Sequence, residues 1–388
     1  MKRSLIYCLL LFTATTIRAF PPPGFEPIEE GHVDFSFCYR DGVWTYGIVW
    51  DRNGVPVIAD PAVGPLRPPE NAVIILKDQP FSGEGSRARR PAPAEWSFTG
   101  VGAGEPFWII PQNPGGSAVW QGFNICGGCA SFFSFDPRVN AYGPWTVVSL
   151  KNKRYLGKGD GHYCTWNEGA FGDLTVWMQT NDGIQSRDRY YIGAGHAHPA
   201  AAFSDLGLYE ITYDVTCHGG PGETNPHTSP EISFYFAVGT YWTWIARHWQ
   251  PDRWWQQGQI GEQDDPDGDG IPNLMEYACG LHPRTSDRAS FTEGASGGLP
   301  ALSIAGDALE VRCLHRMAAS NPQITTAIRA TSDPAAAPWP LTLPAVLTPH
   351  TDNVWEVGTA KLPITPNVPR QFLRLEVTLL PAIQYPSP

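Results

Sequence analysis

Hydrophobic and polar positions alternate in short bursts along most of this chain. Residues 33–39, 45–50, 72–76, 106–111, 145–150, 174–180, 207–215 and 232–238 are each rich in β-branched or aromatic side chains. Turn signals such as Asp41-Gly42, Asn53-Gly54 and Asp182-Gly183 separate them. Side chains on a strand point alternately to its two faces, so segments of this kind predict short strands joined by tight turns. The chain has no long Ala/Leu/Glu/Lys stretch with helical period. The expected fold class is therefore all-β, with a β-sandwich main domain over residues 31–240. Residues 81–93, rich in Gly, Ser, Arg and Pro, are expected to form a mobile loop.

The pattern changes after residue 240. An aromatic run containing Trp242, Trp244, Trp249, Trp254 and Trp255 predicts a helical connector over residues 241–263. An acidic loop and a short helix follow over 264–284, and strands return at 308–314, 323–330 and 372–379 in a small C-terminal β domain, residues 296–380.

The N-terminus reads differently again. Lys2 and Arg3 precede an apolar stretch over 5–12, and Ala19 stands before Pro21, Pro22 and Pro23. That is the pattern of a secretory signal peptide over 1–19 followed by a linker over 20–30, because the apolar stretch is far shorter than the ~20 residues a bilayer needs. The expected location is secreted, periplasmic or cell-surface, with no transmembrane segment in the mature chain. Loss of Lys2, Arg3 and Arg18 takes the formal charge from -11 to -14. A charge of that sign excludes general affinity for phosphate backbones, so nucleic acid is not an expected partner.

The clearest chemistry lies in the acidic loop. Asp265, Asp267, Asp269, Asn273 and Glu276 place oxygen atoms at loop positions 1, 3, 5, 9 and 12, with the Ile271 carbonyl at position 7 and Gly270 at the turn. A hard divalent cation needs six or seven oxygens converging on one point, and this EF-hand-like or dockerin-like spacing supplies them. Calcium is the expected ion, with residues 274–281 as the exiting helix. The plain alternative is an acidic, solvated linker.

Two further motifs carry possible ligands. His32 and Asp34, and likewise His196 and His198, are spaced i and i+2, so each pair shares one face of a strand. Paired imidazoles beside a carboxylate suit Zn2+ or copper. Satisfied strand-end histidines would give the same pattern. Of eight cysteines, Cys8 falls in the leader and seven remain. Cys126-Gly-Gly-Cys129 with His162 and Cys164 reads as disulfides or as a soft-metal site, the disulfide being the ordinary outcome for an exported chain.

Several of these segments fall in a familiar order. Gly31-His32-Val33-Asp34, Phe107 to Gln112, Trp120-Gln-Gly122, Gly143-Pro144-Trp145, Phe171-Gly172, His196-Ala-His198, Phe203 to Tyr209 and Phe234 to Gly239 resemble the choice-of-anchor M domain, also called the actinobacterial surface-anchored repeat. Ala201 or Ala202 stands where that family has Trp, and Asp205-Leu206-Gly207 replaces its Pro-Gly turn. The acidic loop with Gln371 to Val377 resembles the calcium linker and small β domain of exported verrucomicrobial proteins.

The resemblance implies a cell-surface domain, in some cases associated with metal-type ABC transporter components, and it adds weight to His32, His196 and His198 as ligand-facing positions. No His-Glu-x-x-His or Gly-Lys-Ser/Thr motif is present. An exported binding or receptor protein for a small ligand or metal is therefore expected ahead of an enzyme. The alternatives are a secreted metalloenzyme using the same histidines and a carbohydrate-binding adhesin using the tryptophans.

Overall fold

The computed structural model describes residues 25–51, 66–81, 85–113, 119–127, 132–136, 141–192, 195–218, 225–350, 354–366, 368 and 370–380. The signal peptide assigned to 1–19 lies outside them. Strands dominate, and the fold is all-β. No described helix is long and apolar enough to cross a membrane.

The main domain is built in two layers. One is an eight-stranded sheet whose path runs Glu26–Ile28, Ala72–Leu76, Ile232–Val238, Gly207–His218, Ala141–Gly157 and Arg189–Ile192, with Pro226–Thr228 and Phe132–Asp136 attached at the side. The other layer holds two smaller sheets. A five-stranded sheet orders Leu174–Gln179, Tyr163–Glu168, Ala200–Phe203, Pro106–Ile110 and Arg87–Arg89. A four-stranded sheet orders His196–Ala197, Val119–Gly127, Gly31–Arg40 and Val43–Asp51.

Aromatic side chains tie the layers together. Phe35 stacks on Phe234 with ring centroids 3.8 Å apart, and Phe203 packs on Phe236 and Tyr209. The Tyr163 and Tyr213 hydroxyls meet at 2.6 Å, so a buried polar pair bridges the sheets without an unmet hydrogen bond. Burial of these rings, each worth about 1.5–3 kcal/mol against exposure, supplies the main force between the layers.

The structure differs from the sequence expectation in three places. The linker assigned to 20–30 contains the strand Glu26–Ile28, which pairs in parallel with Ala72–Leu76, so the main domain begins earlier than residue 31. Within 81–93, the strand Arg87–Arg89 pairs with Pro106–Ile110, and Arg87 is held by Asp78 at 3.1 Å; residues 82–84 lie outside the described residues. The helical connector is shorter than 241–263. Helix α1 spans Thr240–His248, because Pro251 forces Gln250 into an extended conformation, φ -66° and ψ 155°.

Helix α2, Asn273–Cys279, leaves the acidic loop and stops at Gly280 in the left-handed region. A Cβ at Gly280 would also sit 2.5 Å from the Ser296 carbonyl oxygen. The C-terminal module is two small sheets, one ordered Ala301–Ala305, Ala308–Arg316, Trp355–Pro363 and Val346–Pro349, the other Leu341–Leu343, Ile324–Thr331 and Phe372–Leu379.

Candidate metal centre

The four-stranded sheet has two unlike faces. Val33, Phe35 and Phe37 on one strand, and Val119 and Phe123 on its parallel neighbour, point into the sandwich core. By the two-residue period, His32, Asp34 and Ser36 stand on the opposite face, beside Trp120, Gly122 and Asn124 of the neighbour. Across Asn124 lies His196 on the edge strand. His198 follows where that strand ends and folds back so that its ring stacks on Trp120, centroids 3.8 Å apart.

These elements bring four ligand atoms to one point. His196 Nε2 lies 2.9 Å from Asp34 Oδ1, and His32 Nε2 lies 3.4 Å from the same oxygen. His32 Nε2 and His198 Nε2 approach to 3.1 Å, and His198 Nε2 is 4.0 Å from Asp34 Oδ1. All four atoms lie within 4.8 Å of one another. Four donors bound about 2.0–2.1 Å from a tetrahedral ion stand about 3.3 Å apart, a value that the separations of 2.9, 3.1, 3.4 and 4.0 Å bracket. Two imidazole Nε2 atoms at 3.1 Å repel if both present lone pairs, unless a proton or a cation sits between them.

The electrostatics favour the ligand-competent forms of Asp34 and His198, while at His196 a metal would have to displace a proton that Asp34 helps to hold. Burial alone would raise the Asp34 pKa, but hydrogen bonds from His196 and His32 and their charges hold it down at about 2. Asp34 is therefore a carboxylate. Its hydrogen bond raises the pKa of His196, and partial burial opposes that rise. Burial holds His198 down at about 4, with the charges of His196 and His32 acting in the same direction, so its ring is neutral near pH 7. His198 Nδ1 is buried without a partner at full hydrogen-bond geometry, although the Gln121 backbone is close enough to oppose the fall in its pKa.

Neighbouring residues fix the cluster from behind. Asn167 Nδ2 donates to the His198 carbonyl at 3.3 Å and is itself oriented by Trp177 Nε1 at 2.7 Å. The Trp120 indole donates to the Gln112 carbonyl at 2.9 Å. Gly122 lies directly beneath: an added Cβ would meet His198 Cε1 at 2.5 Å and Asp34 Oδ1 at 2.7 Å. Trp120, Gly122 and Asn167 carry no ligand chemistry in the sequence. Their sequence signals are the Trp120-Gln-Gly122 segment of the motif order and a glycine inside a strand, which often marks close approach.

The acidic loop forms a second cluster. Ligand oxygens of Asp265, Asp267 and Asp269 lie within 4.8 Å of one another. Backbone N–H groups already occupy one oxygen or more of each: Gly270 N donates to Asp265 Oδ2 at 2.8 Å, and Ile271 N to Asp269 Oδ1 at 2.8 Å. Asp267 Oδ2, Asn273 Oδ1 and Glu276 Oε2 are buried without partners. Asn273 Nδ2 donates to the carbonyls of Gln259 and Gly261, which leaves its oxygen as the free end of the amide. Burial, followed by the charges of Asp267, Asp269 and Asp265, pushes Glu276 up to about 8. Unpaired buried oxygens and crowded carboxylates are what a bound divalent cation relieves, so the donor set fits one.

Within the cysteine constellation, Cys164 departs from the disulfide expectation. Cys164 is a free thiol, sealed among Phe98, Phe107, Trp166, Ala200 and Ala202. Burial in that apolar cluster raises its pKa well above the ordinary value, so it is neither disulfide-bonded nor a ready thiolate ligand. His162 packs against Gly100, its backbone N–H donating to Ser204 Oγ at 2.7 Å, and belongs to no convergent ligand group among the described residues. Cys129 and the Cys126 side chain lie outside the described residues. No protein-family model matches this chain, and no curated protein matches it.

Proposed function

We propose that this is an exported or cell-surface ligand-binding protein that holds one transition-metal ion, or a complex of one, on His32, Asp34, His196 and His198. The observation that carries this reading is the convergence of three Nε2 atoms and one carboxylate oxygen within 4.8 Å. Zn2+ or copper suits three imidazoles and a carboxylate. On this reading the acidic loop binds a structural Ca2+ through Asp265, Asp267, Asp269, the Ile271 carbonyl, Asn273 and Glu276. Cys38 and Cys217, both disulfide-bonded, fit an oxidising compartment. The motif order in residues 31–239 adds the resemblance to choice-of-anchor M domains, and with it a role beside a metal-type ABC transporter.

A metalloenzyme is the second reading. It is favoured by the His196 side chain, which is 43% exposed and leaves one side of the cluster open to a substrate. Elemental analysis of protein purified from its exporting host tests the metal claim. The wild-type chain is expected to carry about one equivalent of zinc or copper, and a His196→Ala/His198→Ala variant to carry almost none, as expected when two of four ligands are lost. Equal metal in both proteins would remove the claim. Turnover dependent on that metal would select the enzyme over the receptor.

A further inference from the structure

Outside both ligand clusters, the five-stranded sheet bears a cleft of about 590 Å³, within the ~300–1,000 Å³ typical of small-molecule sites. Its apolar walls include Trp96, Ile109, Pro111 and Ala200, and its polar groups are Gln112, Asn113 and Glu168. Gln112 Oε1 accepts the Glu168 backbone N–H at 2.7 Å, and Gln112 Nε2 reaches back toward the Glu168 carbonyl at 3.5 Å. That mutual bracing fixes the polar edge before any ligand arrives, which lowers the cost of ordering it on binding.

The lining narrows the class of occupant. Among the described residues no cationic side chain borders the cleft, so an anion finds no charged partner there. A wholly apolar ligand would strip water from Glu168 and two amides and return no hydrogen bond. An organic cation needs aromatic faces on several sides. Here the aromatic lining is Trp96, Trp166 and Phe81; Trp166 is 2% exposed and meets Trp96 edge-on at 78°, which leaves at most the Trp96 and Phe81 rings and not a cage. The class that uses both the apolar wall and the polar edge is a neutral ring with an apolar face and a hydroxylated edge.

We propose that this cleft binds a neutral saccharide, one pyranose ring lying on Trp96 while Glu168 accepts its hydroxyls and Asn113 pairs with them. Beside Ala170 in the adjoining turn, Phe171 is 99% exposed and offers a flat apolar surface to a second sugar unit. The inference goes beyond metal binding and does not depend on it, because no lining residue belongs to either ligand cluster.

Isothermal titration of the full chain with neutral disaccharides of glucose, galactose, mannose, xylose and N-acetylglucosamine is the test, with tetramethylammonium as a competing probe. At least one disaccharide should bind saturably, with affinity unchanged by chelator and weakened about tenfold by Trp96→Ala. Trp96 packs on Phe98 and Trp166, so that variant puts local packing at risk. Glu168 is exposed, so Glu168→Gln preserves the fold, and it too should weaken binding. Failure of every disaccharide to bind, equal affinity in Glu168→Gln and wild type, or saturation by tetramethylammonium instead would overturn the proposal.

Discussion

Gly122 shows how a residue without functional atoms decides whether a site exists. It stands across from Asp34 in the parallel register, and the space its missing side chain leaves is filled by the His198 ring and the Asp34 carboxylate. The atoms an added methyl would strike belong to side chains, so they can move aside without breaking the sheet. Gly122→Ala is therefore expected to lose most of the bound metal while its melting temperature shifts by only a few degrees, about 1 kcal/mol for a domain of this size. Elemental analysis beside a thermal melt checks this, and full metal content in the variant would contradict the geometry. The pairing of His32 with Asp34 and of His196 with His198 was legible in the sequence, because i and i+2 spacing places paired residues on one strand face. Gly122 and Trp120 were not, since their role depends on which distant strand lies beside Gly31–Arg40.

At the scale of elements, the acidic loop and α2 were readable almost residue by residue, because their chemistry is local: a spacing of oxygens, two glycines with φ of +75° and +88° at 268 and 270, and a glycine stop. Packing links α2 to the rest. Leu274, Tyr277 and Ala278 join the main core cluster, and the Tyr277 hydroxyl donates to the Pro322 carbonyl at 2.9 Å. A cation that neutralises the loop should therefore stabilise more than the loop. Excess calcium is expected to raise the melting temperature over that in chelator, following the stabilisation any native-state ligand gives. Coincident melts in calcium and in chelator would mean that the loop is only a solvated linker.

The C-terminal end of α1 adds a pH response of its own. Burial first, and then the neighbouring charges of His282, Arg284 and Arg247, depress the His248 pKa to about 3, and His282 is shifted in the same direction. A histidine depressed in the folded state contributes stability that is complete above its unfolded value near 6.5. That contribution drains away as pH falls through the folded value. The melting temperature should drop between about pH 6 and pH 4, and His248→Gln should flatten that slope even if it lowers the plateau. An unchanged slope in the variant would show that other groups govern the acid limb.

Across the whole molecule, the all-β layers followed from alternation alone, but the seam between main domain and C-terminal module did not. That seam centres on Asp78, which is 1% exposed. Its carboxylate accepts from Trp108 Nε1 at 2.9 Å, Asn321 Nδ2 at 2.8 Å and Gln323 Nε2 at 3.0 Å. Gln323 Oε1 in turn accepts the Tyr241 backbone N–H at 3.1 Å. A buried carboxylate needs this many partners to offset its desolvation. Nothing in the local sequence around Asp78 announces partners more than two hundred residues away, so only the folded arrangement reveals that the module is locked to the sandwich. The same dependence on long-range pairing misled the reading of Cys164, which faces the apolar cluster around Trp166 rather than a shared ion.

The account turns on one ion being shared by two distant pairs of residues. X-ray absorption at the zinc edge of the zinc-loaded chain tests this most directly. The arrangement predicts three imidazole nitrogens and one carboxylate oxygen at about 2.0–2.1 Å. Sulfur ligation near 2.3 Å, or a hydrated shell without imidazole scattering, would contradict it.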